Sequence, residues 1–445
     1  MIPFHRGVAA LLCAAAPAIA SAQAAAPRAT ADSGITLQEA IRLALAQNSA
    51  VRFARNTVAL DSLSVRQARS AFLPNLTAAS QTQQGFGSRS EEQNSRAVSV
   101  GVSSGVTLYN GRQNTNALSQ ARLIVQASGQ DLARSRQSVV FVVASDFLAL
   151  ITQQEQLRVQ QENLTAQEQE LTQLEQFVRA GTRPIGDLYQ QQAAVAATRL
   201  ALVNARRATE IAKVDLIQEL LLDPRRDYAF VTPTTLTETT SPPFRLDSLI
   251  TVALAQRVDI QAQQLRVQAA EREIKIAEGG RLPLVVGSAG YSSAQNSAVA
   301  GGFLTQLDQR RGGNIAVGVS VPIFDRGAVS IARQRARILL DNEQLVLRDQ
   351  MQSVALEVRR AYLDYVAAGE QLTAANAQQQ AAALALEAAQ ARYRVGLGTF
   401  VEVTLARATL VQAQSAVVNA RSTLAFQQAL MSYFTGVIDP SRVTL

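Results

Sequence analysis

The chain is written twice. Ala44-Leu45-Ala46-Gln47 returns at 253–256, and Phe72-Leu73-Pro74 returns as Arg281-Leu282-Pro283, both 209 positions further on. Val203-Asn204-Ala205-Arg206 returns at 418–421 and Gly181 at Gly396, now 215 positions on, an offset that Tyr109-Asn110 and Phe324-Asp325 already share. One small insertion between Pro283 and Phe324 reconciles every match. A period of over ~200 residues is far longer than a solenoid unit, so the sequence predicts two copies of one supersecondary plan.

Each copy opens on a helical pattern. In the first, Leu37, Ile41 and Leu45, then Val58, Leu60, Val65 and Ala68, recur at helical spacing from Thr36 to about Leu73, where Pro74 stops the helix. Asn75 to Leu108 reads as two strands around a polar loop at 85–96. Val98, Val100, Val102, Val106 and Leu108 alternate with small or polar residues, broken only at Ser104. The second copy alternates more cleanly, through Ile315, Val317, Val319 and Val321. A very long helix follows, about Gln113 to Arg179, with Val143, Leu150, Leu157, Leu164, Leu171 and Val178 seven apart. The chain turns at 180–186 and returns as a helix from Asp187 to Leu222. In the second copy Val358, Tyr365, Leu372, Gln379, Leu386 and Tyr393 carry the seam, the turn falls at 395–399, and the return ends near Thr435. The expected division is a signal peptide (1–22), an N-terminal segment (23–35), a first repeat (36–222), a Thr/Pro-rich linker (223–245), a second repeat (246–436) and a tail (437–445).

Export removes most enzyme chemistry. Arg6, the apolar run from Val8 to Ala20 and the small residues Ala20-Ser21-Ala22 read as a secretory signal, cleaved near Gln23. Leu12 before Cys13 is a poor match to a lipoprotein signal. Cleavage takes away His5 and Cys13, the one histidine and the one cysteine, and the chain has no tryptophan. Histidine-activated nucleophiles, Cys/His zinc sites and redox disulfides are then excluded, and no pair of acids stands out for carboxylate catalysis. The sequence therefore predicts no enzyme, cofactor or metal site. The +7 charge is almost all arginine, spread at helical spacing among Glu and Gln without the aromatic interleaving of a nucleic-acid surface.

No stretch of the mature chain approaches the ~20 consecutive apolar residues of a spanning helix. The strands, about 10 residues each, are long enough to cross a bilayer when tilted. Four strands cannot close, and an open edge in hydrocarbon leaves backbone groups unpaired at several kcal/mol each, so a barrel built from them has to be shared among chains. The helices, rich in Ala and Gln with narrow seams, suit a curved wall wet on both sides rather than a compact core.

The signal peptide, the duplicated strand pair and hairpin, Val321-Pro322-Ile323-Phe324-Asp325 after the strand and Tyr393-Arg394-Val395-Gly396 at the turn together resemble the TolC-like outer-membrane efflux proteins, over about Thr36 to Gly436. The resemblance implies a mixed α and β membrane protein. It would be a homotrimer whose shared 12-stranded barrel lies in outer-membrane lipid and continues into a long periplasmic α-helical barrel. It implies a passive exit duct for efflux or type I secretion, opened by a periplasmic adaptor and an inner-membrane pump of RND or ABC type. The alternative class is a non-channel periplasmic coiled-coil adaptor or spacer, which would carry one hairpin between β-domains instead of two hairpins and four alternating strands.

On that resemblance the two turns become the adaptor-docking tip: Arg179, Gly181 and Thr182, matched by Arg394, Gly396 and Leu397, with Gly398 and Thr399 completing the second turn. A glycine ending a helix in the left-handed conformation accounts for the same residues without a partner. Asp187 and Glu402 match by offset and open the returning helices, where the dipole and capping favour a carboxylate. In relatives, acids here ring a closed mouth, although Leu405 replaces the second one. Arg183 is expected to pair with a tip carboxylate, making Arg183, Asp187 and Glu402 the periplasmic gate. Tyr109 and Phe324 are expected at the ends of the second strands, as membrane-interface aromatics or as packing at the barrel–helix junction.

Overall fold

The computed structural model describes residues 34–85, 96–231 and 245–437. The expected signal peptide, the first strand loop and most of the linker and tail lie outside these residues. In chain order the elements are α1 (Leu37–Gln47), α2 (Ser49–Ser70), β1 (Asn75–Gln84), β2 (Arg96–Asn110), α3 (Gln113–Arg179), α4 (Ile185–Glu219), α5 (Leu246–Gln256), α6 (Val258–Gly279), β3 (Leu284–Asn296), α7 (Phe303–Gln309), β4 (Gly312–Ser320), α8 (Ala328–Arg394) and α9 (Phe400–Phe434). The opening helix is two helices, not one. Asn48 breaks it, its side chain accepting from the Ala50 N–H at 2.8 Å, as asparagine does at an N-cap. Arg257 makes the equivalent break between α5 and α6. Helix lengths run 11, 22, 67 and 35 residues, and then 11, 22, 67 and 35 again.

Among the described residues the four strands form one antiparallel sheet in the order β1-β2-β3-β4, leaving β1 and β4 as its edges, each paired on one side alone. β2 and β3, at 15 and 13 residues, exceed the expected length. The irregularity in β2 lies between Thr107 and Tyr109, not at Ser104, which keeps its register opposite Leu76 and Ala289. That register sorts the side chains. Leu76, Ala78, Val98, Val100, Val102, Val106, Ala289, Tyr291, Ile315, Val317 and Val319 share one face. Asn75, Thr77, Ser99, Gly101, Ser103, Ser288, Ser292 and Asn314 share the other. An isolated sheet this thin buries neither.

Each junction from the sheet into a long helix uses two consecutive left-handed residues, Gly111 with Arg112 before α3 and Arg326 with Gly327 before α8. Asn110 accepts from the Asn114 N–H, and Asp325 from the N–H groups of Gly327 and Val329. These donors hold the Asp325 carboxyl below its ordinary range.

α3, about 100 Å long at 1.5 Å per residue, is the spine. α2 and α4 lie end to end along one flank and α6 and α9 along the other, with α8 beyond them. Polar bridges mark the stacking. Gln120 and Asp131 on α3 reach Glu273 and Arg266 of α6, whereas Gln156 and Glu170 reach Asn419 and Arg407 of α9. The main core sits where α1, α3 and the end of α4 meet, around Val140, Val143, Phe147, Leu150, Leu216 and Leu220. Among the described residues one helix, α3, has a window apolar enough by composition to cross a membrane, and 44% of that window is buried inside the chain. In α8 the buried seam keeps Val358 and Leu386 of the expected seam but between them runs through alanines, at 361, 368, 375 and 382, so α8 and α9 approach closely. Arg257, 5% exposed, ties the second half together through Asp259 at 2.6 Å and Glu357 at 2.7 Å.

Candidate gate and docking tip

The two hairpin turns end their helices by the same device. Gly181 and Gly396 adopt φ of 72° and 79°, a conformation open to glycine at little cost. The Gly181 N–H donates to the Val178 carbonyl and the Thr182 N–H to that of Phe177. Gly396 and Leu397 repeat this on Tyr393 and Arg392. Both are Schellman closures. A Cβ at either glycine would meet nothing within 4 Å, so backbone conformation and not space requires it. α4 starts at Ile185, two residues earlier than the sequence suggests, behind Pro184. α9 is capped by Thr399, whose hydroxyl accepts from the Glu402 N–H at 3.3 Å.

Between the turns runs a chain of polar contacts. Among the described residues Arg183 meets backbone carbonyls, where the sequence led to the expectation of a tip carboxylate. Its Nη2 donates to the carbonyls of Tyr393 at 2.7 Å and Arg394 at 3.1 Å, and its guanidinium carbon sits 4.2 Å from the centre of the Tyr393 ring. The last carbonyls of α8 are unpaired within the helix and carry the negative end of its dipole, which suits a fixed cation. The Tyr393 hydroxyl in turn donates to Asp187 Oδ2 at 2.6 Å. Burial, then the bond to Asp187 and its charge, push the Tyr393 hydroxyl well above the usual tyrosine range, so it stays a donor. Phe400, buried, packs against the ring at 5.4 Å between centroids.

Glu402 stands apart from this chain. It pairs with Arg392 at 3.3 Å across the second turn, so the two expected gate acids have different partners. Deeper, Arg407 and Glu170 join α9 to α3 at 2.7 Å, both mostly buried. They line a cleft of about 390 Å³ with Leu174, Phe177, Tyr393 and Phe400. Around the turns Ile185, Tyr189, Val395, Leu397, Val401 and Leu405 are exposed. Arg179 pairs with Glu175, one turn back, at 3.7 Å. No group of His, Cys, Asp or Glu among the described residues could hold a metal ion.

Sequence reasoning missed Tyr393 as a site residue. Its signal was an aromatic at the last position of the seven-residue seam, three residues before the turn glycine. The interface aromatics separate. Tyr109 is the penultimate residue of β2, but Phe324 lies four residues past the end of β4, 84% exposed beside Ile323 at 98%. Pro322, which has no N–H to give a ladder, accounts for the early stop.

The description "Outer membrane efflux protein" matches residues 40–220 and 249–434, most of the chain. The outer membrane efflux protein BepC of Brucella suis is 24% identical over 413 residues, covering 92% of this chain and 87% of that protein. The outer membrane protein TolC of Vibrio cholerae is 27% identical over 387 residues, covering 82% and 84%. Among solved structures, CusC superposes with a TM-score of 0.79 at 18% identity over 90% of this chain and 92% of that one.

Proposed function

We propose that this chain, which belongs to the outer membrane efflux protein family, assembles with two further copies into a passive exit duct opened at its periplasmic tip. Proteins of this family are outer-membrane channels and not enzymes, with their helical part in the periplasm. The observation that carries the assembly is the open four-stranded sheet, apolar on one face and polar on the other, with both edges unpaired. Three copies would give 12 strands, a closed ring with no edge in lipid, apolar outward and polar toward the lumen.

The helical wall supports the same count of free edges. α8 shows Ile331, Ile338 and Leu345, seven apart, and Leu356 and Leu363, again seven apart, to solvent. At the opposite edge α2 shows Phe53 and Leu60, and α4 shows Leu200 and Val214. These are unfilled heptad seams, and α8 of one copy against α2 and α4 of the next would fill both. The equal helix lengths of the two halves support an internal duplication, which would make the three-fold wall nearly six-fold in its packing.

At the tip, Arg183 and the Tyr393–Asp187 bond tie the first hairpin to the second. We read this as a latch of the closed state, and the exposed apolar residues of the turns as the surface that a periplasmic adaptor grips to release it. The pump then supplies the energy. The test is reconstitution of the mature protein in planar bilayers. Steps of ohmic conductance without any energy source are expected; a protein that leaves with the soluble periplasm and never conducts would instead be a spacer.

A further inference from the structure

β3 outlasts β4. Their pairing stops at Ser292 and Gly312, while Ser293 to Asn296 pair with β2 alone. The connection fills the space beside them with α7 and is firmly built. Gln306, buried, donates to the carbonyls of Val299 at 2.7 Å and Gly301 at 3.1 Å and accepts from the Asn296 N–H at 3.0 Å. The Ser293 hydroxyl donates to the Leu307 carbonyl. Ser293 belongs by register to the apolar face, so α7 is tied to that side of the sheet, at the end away from the long helices. On this fixed helix Phe303 is 50% exposed and Leu304 77% exposed, beside the exposed polar residues Thr305, Asp308 and Gln309. Arg310 and Arg311 follow it, the latter paired with Asp308 at 3.0 Å with both side chains exposed. Arg96, first residue of β2, falls in the same alternation set as Val98. From Tyr109 to Arg96 is 13 residues along β2, about 33 Å across a bilayer for a strand tilted by ~40°. If Tyr109 marks the inner boundary, Arg96 and α7 lie at the outer headgroups.

We propose that α7 is an interfacial anchor in the outer leaflet. Phe303 and Leu304 enter the boundary of the acyl chains, and Arg96, Arg310 and Arg311 meet the phosphates of an anionic glycolipid. This rests on the duct reading, since it needs the apolar face of the sheet in lipid. A polar loop would connect the strands equally well; a rigid helix with two bare apolar side chains continuous with a lipid-facing band has a lipid surface as its fitting partner.

The absence of tryptophan supplies the test. Leu304→Trp places one fluorophore on the helix, and Val317→Trp, in a second protein, places one on the apolar face of β4. In vesicles of phosphatidylcholine brominated near the headgroup and doped with lipid A, the Leu304→Trp emission should be blue-shifted, strongly quenched by bromine and little affected by acrylamide. Water-like emission quenched by acrylamide, with Val317→Trp still quenched by bromine, would overturn the anchor and leave the duct standing. If neither responds to bromine, the barrel reading fails and the anchor with it. In native mass spectrometry, Arg310→Gln with Arg311→Gln should reduce retained lipid A by about tenfold, and removing the lipid's phosphates should do the same to the unaltered protein. Equal retention would overturn the phosphate contact.

Discussion

Tyr393 and Asp187 stand 206 positions apart and meet at 2.6 Å, joining the two hairpins of one chain through a single proton. A charge-assisted bond of this kind is worth roughly 1.5–3 kcal/mol, enough to hold a tip closed at rest and small enough for a docking partner to overcome. Tyr393→Phe and Asp187→Ala should each raise single-channel conductance, and the double variant should add little to either, because both remove one bond. Glu402→Ala should leave conductance near the original value, since its partner Arg392 lies across its own turn. A second residue-scale prediction concerns Asp146 on α3. Burial first, then the nearby charges of Glu219 and Asp215, raise its pKa to about 6. A carboxyl whose folded-state pKa is raised opposes folding once it ionises, so stability falls as pH rises from about 4 through about 6. Asp146→Asn should raise the melting temperature at pH 7 and leave it nearly unchanged below about pH 4. A melting shift independent of pH would assign the effect to packing instead.

At the scale of elements, the long helices were legible because seven-residue seams and bracketing turn glycines are local signals. α3 ends where the periodicity predicts, at Arg179. The alanine seam of α8 was not, because apolar periodicity weights large side chains, and the sequence favoured Tyr365 and Leu372 over Ala361, Ala368, Ala375 and Ala382. Those alanines are buried because helices approach most closely over small residues. Ala368→Leu should therefore cost about 1–3 kcal/mol by overpacking, measured by chemical denaturation. The breaks at Asn48 and Arg257 were missed for another reason: both sit inside continuous helical patterns, and beside the local bonds to Ala50 and Asp259 each side chain is held by a distant segment, Asn48 by Glu219 and Arg257 by Glu357. Arg183 teaches the same lesson. Its charge was legible, but its partner is the carbonyl end of a helix two hundred residues away, which no side-chain pattern records. α7 left no periodic signal at all in its glycine-rich connection.

For the whole molecule, the strongest constraint is what the single chain leaves undone. Its sheet has two bare edges, its helical layer two bare seams, and the two faces of the sheet carry different chemistries with nothing to separate. All three deficits are met by one operation, the addition of copies edge to edge. The duplication in sequence, the matching helix lengths and the family match to both halves point to a wall made of repeated units, with the chain's own two halves already packed as neighbours. Introducing charge on the open α8 seam, Ile338→Glu with Leu345→Glu, should weaken the assembly without unfolding the chain, since neither side chain contributes to the internal core. The most direct measurement is the mass of the purified mature protein in detergent, by light scattering with the detergent contribution subtracted. Three chains per particle are predicted; a stable monomer that stays in solution without detergent would contradict the shared barrel and return the four strands to a soluble sheet.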